Sequence, residues 1–156
     1  MHTPPEAAEE LLKLDRQLCF PLYAVGHAIV RAYRPLLEPL GLTYPQYLVM
    51  LVLWESAPCT VGEIGARLGL DSGTLTPLLK RLASAGLVER ERDRGDERRV
   101  LIRPTAAGDA LKTRAGSVPA TLACRLAPDR GQVERLQQEL RELIARLDPT
   151  AHDAAA

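Results

Sequence analysis

Three cysteines in 156 residues, a formal net charge of zero and no apolar run long enough to span a bilayer set the first limits on this chain. The start, MHTPPEAAEE, is acidic and lacks the apolar core of a secretory signal, so a cytoplasmic protein with no membrane partner is expected. Thiols there are kept reduced, so Cys19, Cys59 and Cys124 are not expected to form a structural framework, and any disulfide among them should be transient and regulatory. Their separations match no zinc-ligand spacing, and no metal site is expected. A phosphate-binding loop, a catalytic triad and a CxxC recycling motif are also missing, so neither an enzyme nor a cofactor is expected. Internal repeats are absent, and low complexity is confined to a short Ala-rich tail. The length suits one domain with its own core and is too short for two comfortable ones.

Zero net charge argues against binding nucleic acid through bulk charge, but the charge is unevenly placed. Lys80 to Arg103 holds eight Lys or Arg against five Asp or Glu, while the first fifteen residues are acidic. The basic segment lies in Thr60–Thr105, where the strongest local signals also fall. Thr60 and Glu63 form a T-x-x-E capping box that starts a helix with Ile64 and Leu68 on one face. Gly69 stops it. Asp71 can cap a second helix in which Leu75, Leu78, Leu79 and Leu82 share a face before Gly86 ends the run. Pro77 conflicts with that reading and leaves open a start at Thr76 with Pro77 in the first position.

Helix, tight turn, helix is the arrangement whose second helix enters the major groove by its N-terminal end. Asp71, Ser72, Gly73, Thr74 and Thr76 stand at that end, small and polar, with Lys80 and Arg81 able to reach phosphates farther along. After Gly86 the period changes to that of a two-stranded hairpin, Leu87–Arg92 and Arg98–Ile102. Its tip holds Arg92, Arg94, Arg98 and Arg99 beside Asp93, Asp96 and Glu97. Such a tip either inserts one carboxylate-oriented Arg into a minor groove or is a solvated, salt-bridged hairpin. Caps, turn and hairpin in this order favour the former, with double-stranded operator DNA as partner.

Upstream, residues 1–5 are expected to be disordered. An amphipathic helix is expected from Glu6 with Ala7, Leu11, Leu14 and Leu18 on one face, and Pro21 should kink or restart it as a helix of about Phe20 to Leu37. Thr43 and Gln46 make another capping box, and YLVMLVLWE, apolar nearly all round, reads as the central core helix. Past the hairpin, Thr105 caps a helix that Gly116, Ser117 and Pro119 interrupt. Pro128-Asp129 then opens a last helix with a seam of Val133, Leu136, Leu140, Leu143 and Leu147. The seam and the N-terminal helix pack either on their own domain or against a second copy; a homodimer is favoured because a helix-turn-helix reads two half-sites by two-fold symmetry.

Cys19 lies beside Pro21, and all four tyrosines, Tyr23, Tyr33, Tyr44 and Tyr47, fall in the first third of the chain. A phenol can donate to a thiolate and stabilise it, and a helix restarting near Pro21 adds its positive end. Local sequence equally permits a small, inert, buried thiol.

The segments LDRQLCFPLY, LTYPQYLVMLVLWE, DSGTLTPLLKRL, SAGLVERERD, DERRV and GSVPATLAC together resemble the MarR family of winged-helix repressors, and within it the OhrR-type organic hydroperoxide sensors of the two-cysteine branch. The resemblance runs from about Leu14 to Leu147. It implies a mainly α fold with a small β-hairpin wing in a single domain of 1–156, its winged helix-turn-helix at 43–105 flanked by dimerisation helices at 6–40 and 106–147. It further implies that organic hydroperoxide oxidises Cys19 to a sulfenic acid, that Tyr33 and Tyr44 hydrogen-bond to Cys19 with Tyr23 nearby, and that Cys124 of the other subunit closes a disulfide with it. The wing arginine of the family corresponds to Arg98 and its orienting acid to Asp96. Cys59 matches no motif position, and Pro21 stands where a small aliphatic residue is more usual. Two other functions remain open at this point: a regulator released by a non-covalently bound phenolic or lipophilic small molecule, and a thiol peroxidase.

Overall fold

The computed structural model describes residues 9–93, 95, 96, 98–126 and 129–147. The expected disorder of residues 1–5, the start of the first amphipathic run at Glu6 and Ala7, and Arg94, Glu97 and Pro128 lie outside them. The described residues gather into two compact units, one running to Gly116 and the other starting at Ser117.

In the first unit a short helical stretch at 9–11 is followed by a 3-10 turn, Leu14–Arg16, and helix α1, Cys19–Leu37. The single amphipathic helix expected through Leu18 is therefore broken. Lys13 and Gln17 are extended, with ψ of 138° and 114°. Pro21 supplies the reason for the second break: it has no N–H for the carbonyl of Gln17, and its ring would clash with that carbonyl in a continuous helix. Pro21 is tolerated instead in the first turn of α1, where an N–H would lack a helical partner anyway.

Helix α2, Tyr44–Ser56, is the core element the sequence predicts. The Gln46 side chain accepts from the Thr43 N–H at 2.8 Å, closing the box that starts it. Tyr47, Val49, Met50, Val52 and Leu53 are buried. This helix touches α1, α3 (Val61–Leu68), α4 (Ser72–Ser84), α5 (Ala106–Ala115) and the strand Val100–Pro104. Burial around it comes from Leu37, Ile64, Leu75, Leu79, Leu82 and Ile102, all under 2 % exposed.

The sheet is larger than the expected hairpin. Strands β2, Val88–Arg92, and β3, Val100–Pro104, pair antiparallel with Arg90 opposite Ile102. A two-residue strand β1, Cys59–Thr60, adds to the other edge of β3, with Cys59 opposite Ile102, giving the order β1-β3-β2. Two residues are too few to display the alternation by which a strand is read. The pairing fastens the wing directly to the start of α3, since Thr60 is both a strand residue and the cap of that helix.

Two glycines turn the chain where the sequence places them. Gly69 (φ +64°) and Gly86 (φ +70°) end α3 and α4 in the left-handed region, which costs other residues a Cβ clash. In each turn the next amide reaches back to satisfy a carbonyl: Leu70 N–H to Gly65 O, and Leu87 N–H to Leu82 O, both at 3.0 Å. Thr105 caps α5 by accepting from Gly108 N–H at 3.1 Å, and its hydroxyl donates to Gly86 O at 2.6 Å.

The second unit holds α6, Val118–Leu126, and α7, Arg130–Leu147. Gly116 and Ser117 separate α5 from α6 as expected, whereas Pro119, expected in the same break, lies in the first turn of α6, where its missing N–H costs no helical bond.

Candidate nucleic-acid interface and thiol site

Helix α4 begins at Ser72, not at Thr76, so Pro77 sits inside it. Asp71 decides the start: its Oδ1 accepts from Thr74 N–H at 2.8 Å and its Oδ2 from the Thr74 hydroxyl at 3.1 Å. These bonds hold the Asp71 carboxyl below its ordinary pKa, so it is ionised at neutral pH. Thr76 donates its hydroxyl to Ser72 O at 2.7 Å. Each threonine thus spends its one hydroxyl proton on a local partner and retains acceptor capacity. Asp71, Ser72, Gly73, Thr74, Thr76, Lys80 and Arg81 are all exposed, while Leu75, Leu79 and Leu82 bind the opposite face to the core. The front of the helix is free for a partner because its rear is fixed.

The start of α3 is built on the same plan. Thr60 N–H donates to Glu63 Oε2 at 2.6 Å, and Glu63 N–H donates to the Thr60 hydroxyl at 3.2 Å. The Glu63 carboxylate accepts from the Thr60 N–H and, at 2.8 Å, from the Thr60 hydroxyl, and these two bonds lower its pKa, with Arg99 adding a smaller push in the same direction. Arg99 lies 3.8 Å from Glu63 and 3.9 Å from Asp93, so it braces the wing. Arg98 differs. Its Nε stands 3.7 Å from Asp96 Oδ1, which also accepts from the Arg98 N–H at 3.1 Å, yet the side chain is 96 % exposed. A pair so exposed adds little stability. What it does is aim a solvated guanidinium out from the wing.

Cys19 is the first residue of α1 and is exposed. Tyr23, one turn on, is on the same face and 67 % exposed, and its ring meets His27 edge-on at 4.4 Å between centroids. Tyr33 and Tyr44 are brought together: their rings lie 4.5 Å apart, with Tyr47 5.8 Å from Tyr33. Desolvation, then the neighbouring phenols, push Tyr33 up to about 12, and burial raises Tyr44 and Tyr47. All three are neutral hydrogen-bond donors at physiological pH. Cys19 is not with them. Tyr33 lies fourteen positions along α1 from it, a rise of roughly 21 Å along the axis, beyond the reach of the two side chains.

Cys59 is buried at 4 % exposure, and its Sγ donates to Ser56 O at 3.2 Å. Burial pushes its thiol up, Glu63 adds to that and Arg67 opposes it, so the reactive thiolate form is disfavoured. Cys124 lies on α6 and is exposed. Among the described residues no three His, Cys, Asp or Glu side chains gather as a metal site, and no single helix is long and apolar enough to cross a membrane.

Sequence reading missed two close approaches that shape the reading head. A Cβ on Gly65 would lie 2.6 Å from Leu70 O, and one on Gly108 would lie 2.0 Å from Leu87 O. Glycine in the middle of a helix, as at Gly65, is the available signal. Unforeseen too was a cleft of about 510 Å³ bordered by Arg31, Arg34 and Tyr44.

Apolar side chains remain uncovered in both units. In the first, Leu11, Leu12, Leu14, Leu18 and Phe20 are exposed. On α7, Leu136, Leu140, Ile144 and Leu147 are exposed while Val133 and Leu143 are half-buried.

Residues 42–100 match the model of the MarR family. The chain is 51 % identical over 146 residues to the HTH-type transcriptional regulator TtmR of Methylorubrum extorquens, an alignment covering 91 % of this chain and 75 % of that one. It is 50 % identical over 111 residues to the organic hydroperoxide resistance transcriptional regulator of Bacillus subtilis, covering 71 % and 76 %. Among solved structures, reduced AbfR bound to DNA superposes with a TM-score of 0.75 at 35 % identity, over 92 % of this chain and 99 % of that one. Disulfide-formed AbfR gives 0.63 at 37 %, over 90 % and 99 %.

Proposed function

The chain belongs to the MarR family, and on that premise we propose that it is a dimeric DNA-binding repressor released from its operator when an organic hydroperoxide oxidises Cys19. The α4 front of Asp71, Ser72, Gly73, Thr74 and Thr76 meets base edges in the major groove, Lys80 and Arg81 meet phosphates, and Arg98, aimed by Asp96, enters the minor groove. The uncovered leucines of the N-terminal segment and of α7 are the dimer surfaces, within 6–40 and 106–147.

The observation that carries the redox reading is an exposed thiol at the start of α1, in a chain half identical to an organic hydroperoxide resistance regulator. Its thiolate attacks the distal peroxide oxygen. The O–O bond breaks, the alkoxide leaves and takes a proton to become the alcohol, and the sulfur, oxidised by two electrons, holds the hydroxyl as a sulfenic acid. The thiolate of Cys124 in the other subunit then attacks that sulfur, and hydroxide leaves to become water. The distance along α1 gives Tyr33 and Tyr44 one role in this scheme: they donate to the partner's Cys19, while Tyr23 flanks Cys19 on its own helix.

Mass spectrometry of the reduced protein after one equivalent of cumene hydroperoxide tests the chemistry. A Cys19–Cys124 linked peptide pair is expected. A linkage through Cys59, or an unmodified Cys19, would overturn it, and repeated turnover with a small reductant would make the protein a thiol peroxidase.

A further inference from the structure

The cleft beside Tyr44 has a charge pattern that peroxide reduction does not require. Its walls include Val30, Leu42 and Pro45, and its volume of about 510 Å³ falls within the range of small-molecule sites. Arg31 and Arg34 also line it, and among the described residues neither guanidinium has an ion-pair partner. Glu38 is the one acid on its border, so the cationic groups outnumber it two to one. Arg31 also borders a second concavity with Phe20, Tyr23, Ala24 and His27, so cationic and apolar surface continues along α1 toward its Cys19 end.

A neutral organic hydroperoxide gains nothing from two unpaired guanidiniums beside an aliphatic wall. An aliphatic chain ending in a carboxylate gains at both places, since guanidinium and carboxylate match in charge and in planar donor geometry. We propose that Arg31 and Arg34 select hydroperoxides that carry a free carboxylate, holding the carboxylate at the mouth of this cleft with the alkyl chain along Val30, Leu42 and Pro45 and the peroxide beside Tyr44. The inference rests on the reading above, in which the partner's Cys19 reaches Tyr44. Arg31 and Arg34 are specificity-determining residues; the atoms that react remain the peroxide oxygens and Cys19 Sγ.

The test compares linoleic acid hydroperoxide with its methyl ester, each as monomer in solution, with cumene hydroperoxide as an uncharged control. The rate of Cys19 oxidation in the full-length protein is read by rapid quenching and mass spectrometry. The acid should react about tenfold faster than the ester, the size of one charge-assisted hydrogen bond. Arg31→Gln with Arg34→Gln should bring the acid down to the rate of the ester while the ester and cumene hydroperoxide keep theirs. Arg31→Lys with Arg34→Lys, which keeps the charge, should retain part of the preference, and raised salt should shrink it in the unaltered protein. Equal rates for acid and ester in the unaltered protein overturn the proposal, as does a preference that survives the double Gln variant. A double Gln variant slowed equally toward all three peroxides also overturns it, by assigning the arginines to the thiol. Should cumene hydroperoxide leave Cys19 unoxidised in the unaltered protein, the peroxide-sensing reading itself fails and takes this one with it.

Discussion

The rings of Tyr33 and Tyr44 lie 4.5 Å apart, joining α1 to the start of α2, while the thiol they are proposed to serve begins α1 fourteen residues earlier. Two phenols held neutral by burial are donors without competing charge. Tyr33→Phe and Tyr44→Phe should each slow the first oxidation step about tenfold, the scale of a hydrogen bond to a charged acceptor. Stopped-flow measurement of thiol loss checks this, and unchanged rates would remove the tyrosines from the sensor. The sign of the Tyr33 shift also has a reading. A folded-state value raised to about 12 means the fold favours the neutral phenol, a contribution complete below the unfolded value of 10.0 and lost as pH climbs through 12. Ultraviolet titration should find Tyr33 among the last tyrosines to ionise.

Arg98→Ala should weaken operator binding about tenfold or more at fixed salt, because its guanidinium is solvent-exposed, held within its own fold only by Asp96, and is the side chain proposed to enter the minor groove. The melting temperature should not change. Operator affinity equal to that of the unaltered protein would leave the wing outside the interface.

Asp71 gives a pH-dependent prediction. Its carboxyl is held below its ordinary value of 3.8 by the Thr74 bonds, so its cap contributes fully above that value and is lost as pH falls through the lowered one. Asp71→Asn keeps an acceptor for Thr74 N–H and cannot titrate, so it should flatten the acid limb of a melting-temperature profile. Asp71→Ala should lower the melting temperature throughout neutral pH. Calorimetry from pH 2 to 7 checks both; a profile for Asp71→Asn that overlays the original would mean the Asp71 charge adds nothing, and an unchanged melting temperature for Asp71→Ala would mean the cap adds nothing.

Leu140→Asp should dissociate the proposed dimer. Leu140 lies on the exposed stripe of α7 beside Leu136 and Ile144, and an aspartate covered there by a second copy would be buried without a partner. Sedimentation velocity reports the result. A variant that stays dimeric would place the interface elsewhere.

Much of the reading head was legible because its signals are local. The capping and turn roles of Thr60, Gly69, Asp71, Gly86 and Thr105 are each set within four residues of their own position, so caps and turns could be read without the longer-range partners of Thr60 and Thr105. Pro77 shows a local rule overridden: the Asp71 cap and the burial of Leu75 and Leu79 hold the helix on both sides of a residue that disfavours it. Strand β1 was not legible, since its two residues are defined only by a partner more than forty positions away. The cleft at Arg31 and Arg34 was not legible for the same reason, its walls coming from α1 and from the turn before α2. For the thiol site, spacing alone left Cys19 between a reactive and a buried state, and its exposure was visible only in the structure.

Operator binding by the reduced protein, measured by fluorescence anisotropy before and after one equivalent of an organic hydroperoxide, tests the redox switch most directly when Cys19→Ser is run beside it. The unaltered protein should bind before treatment, lose the operator after it, and regain it with dithiothreitol, whereas Cys19→Ser should bind the operator with or without peroxide. Binding by the unaltered protein that persists after Cys19 is oxidised, or release of Cys19→Ser by the same peroxide, would contradict it.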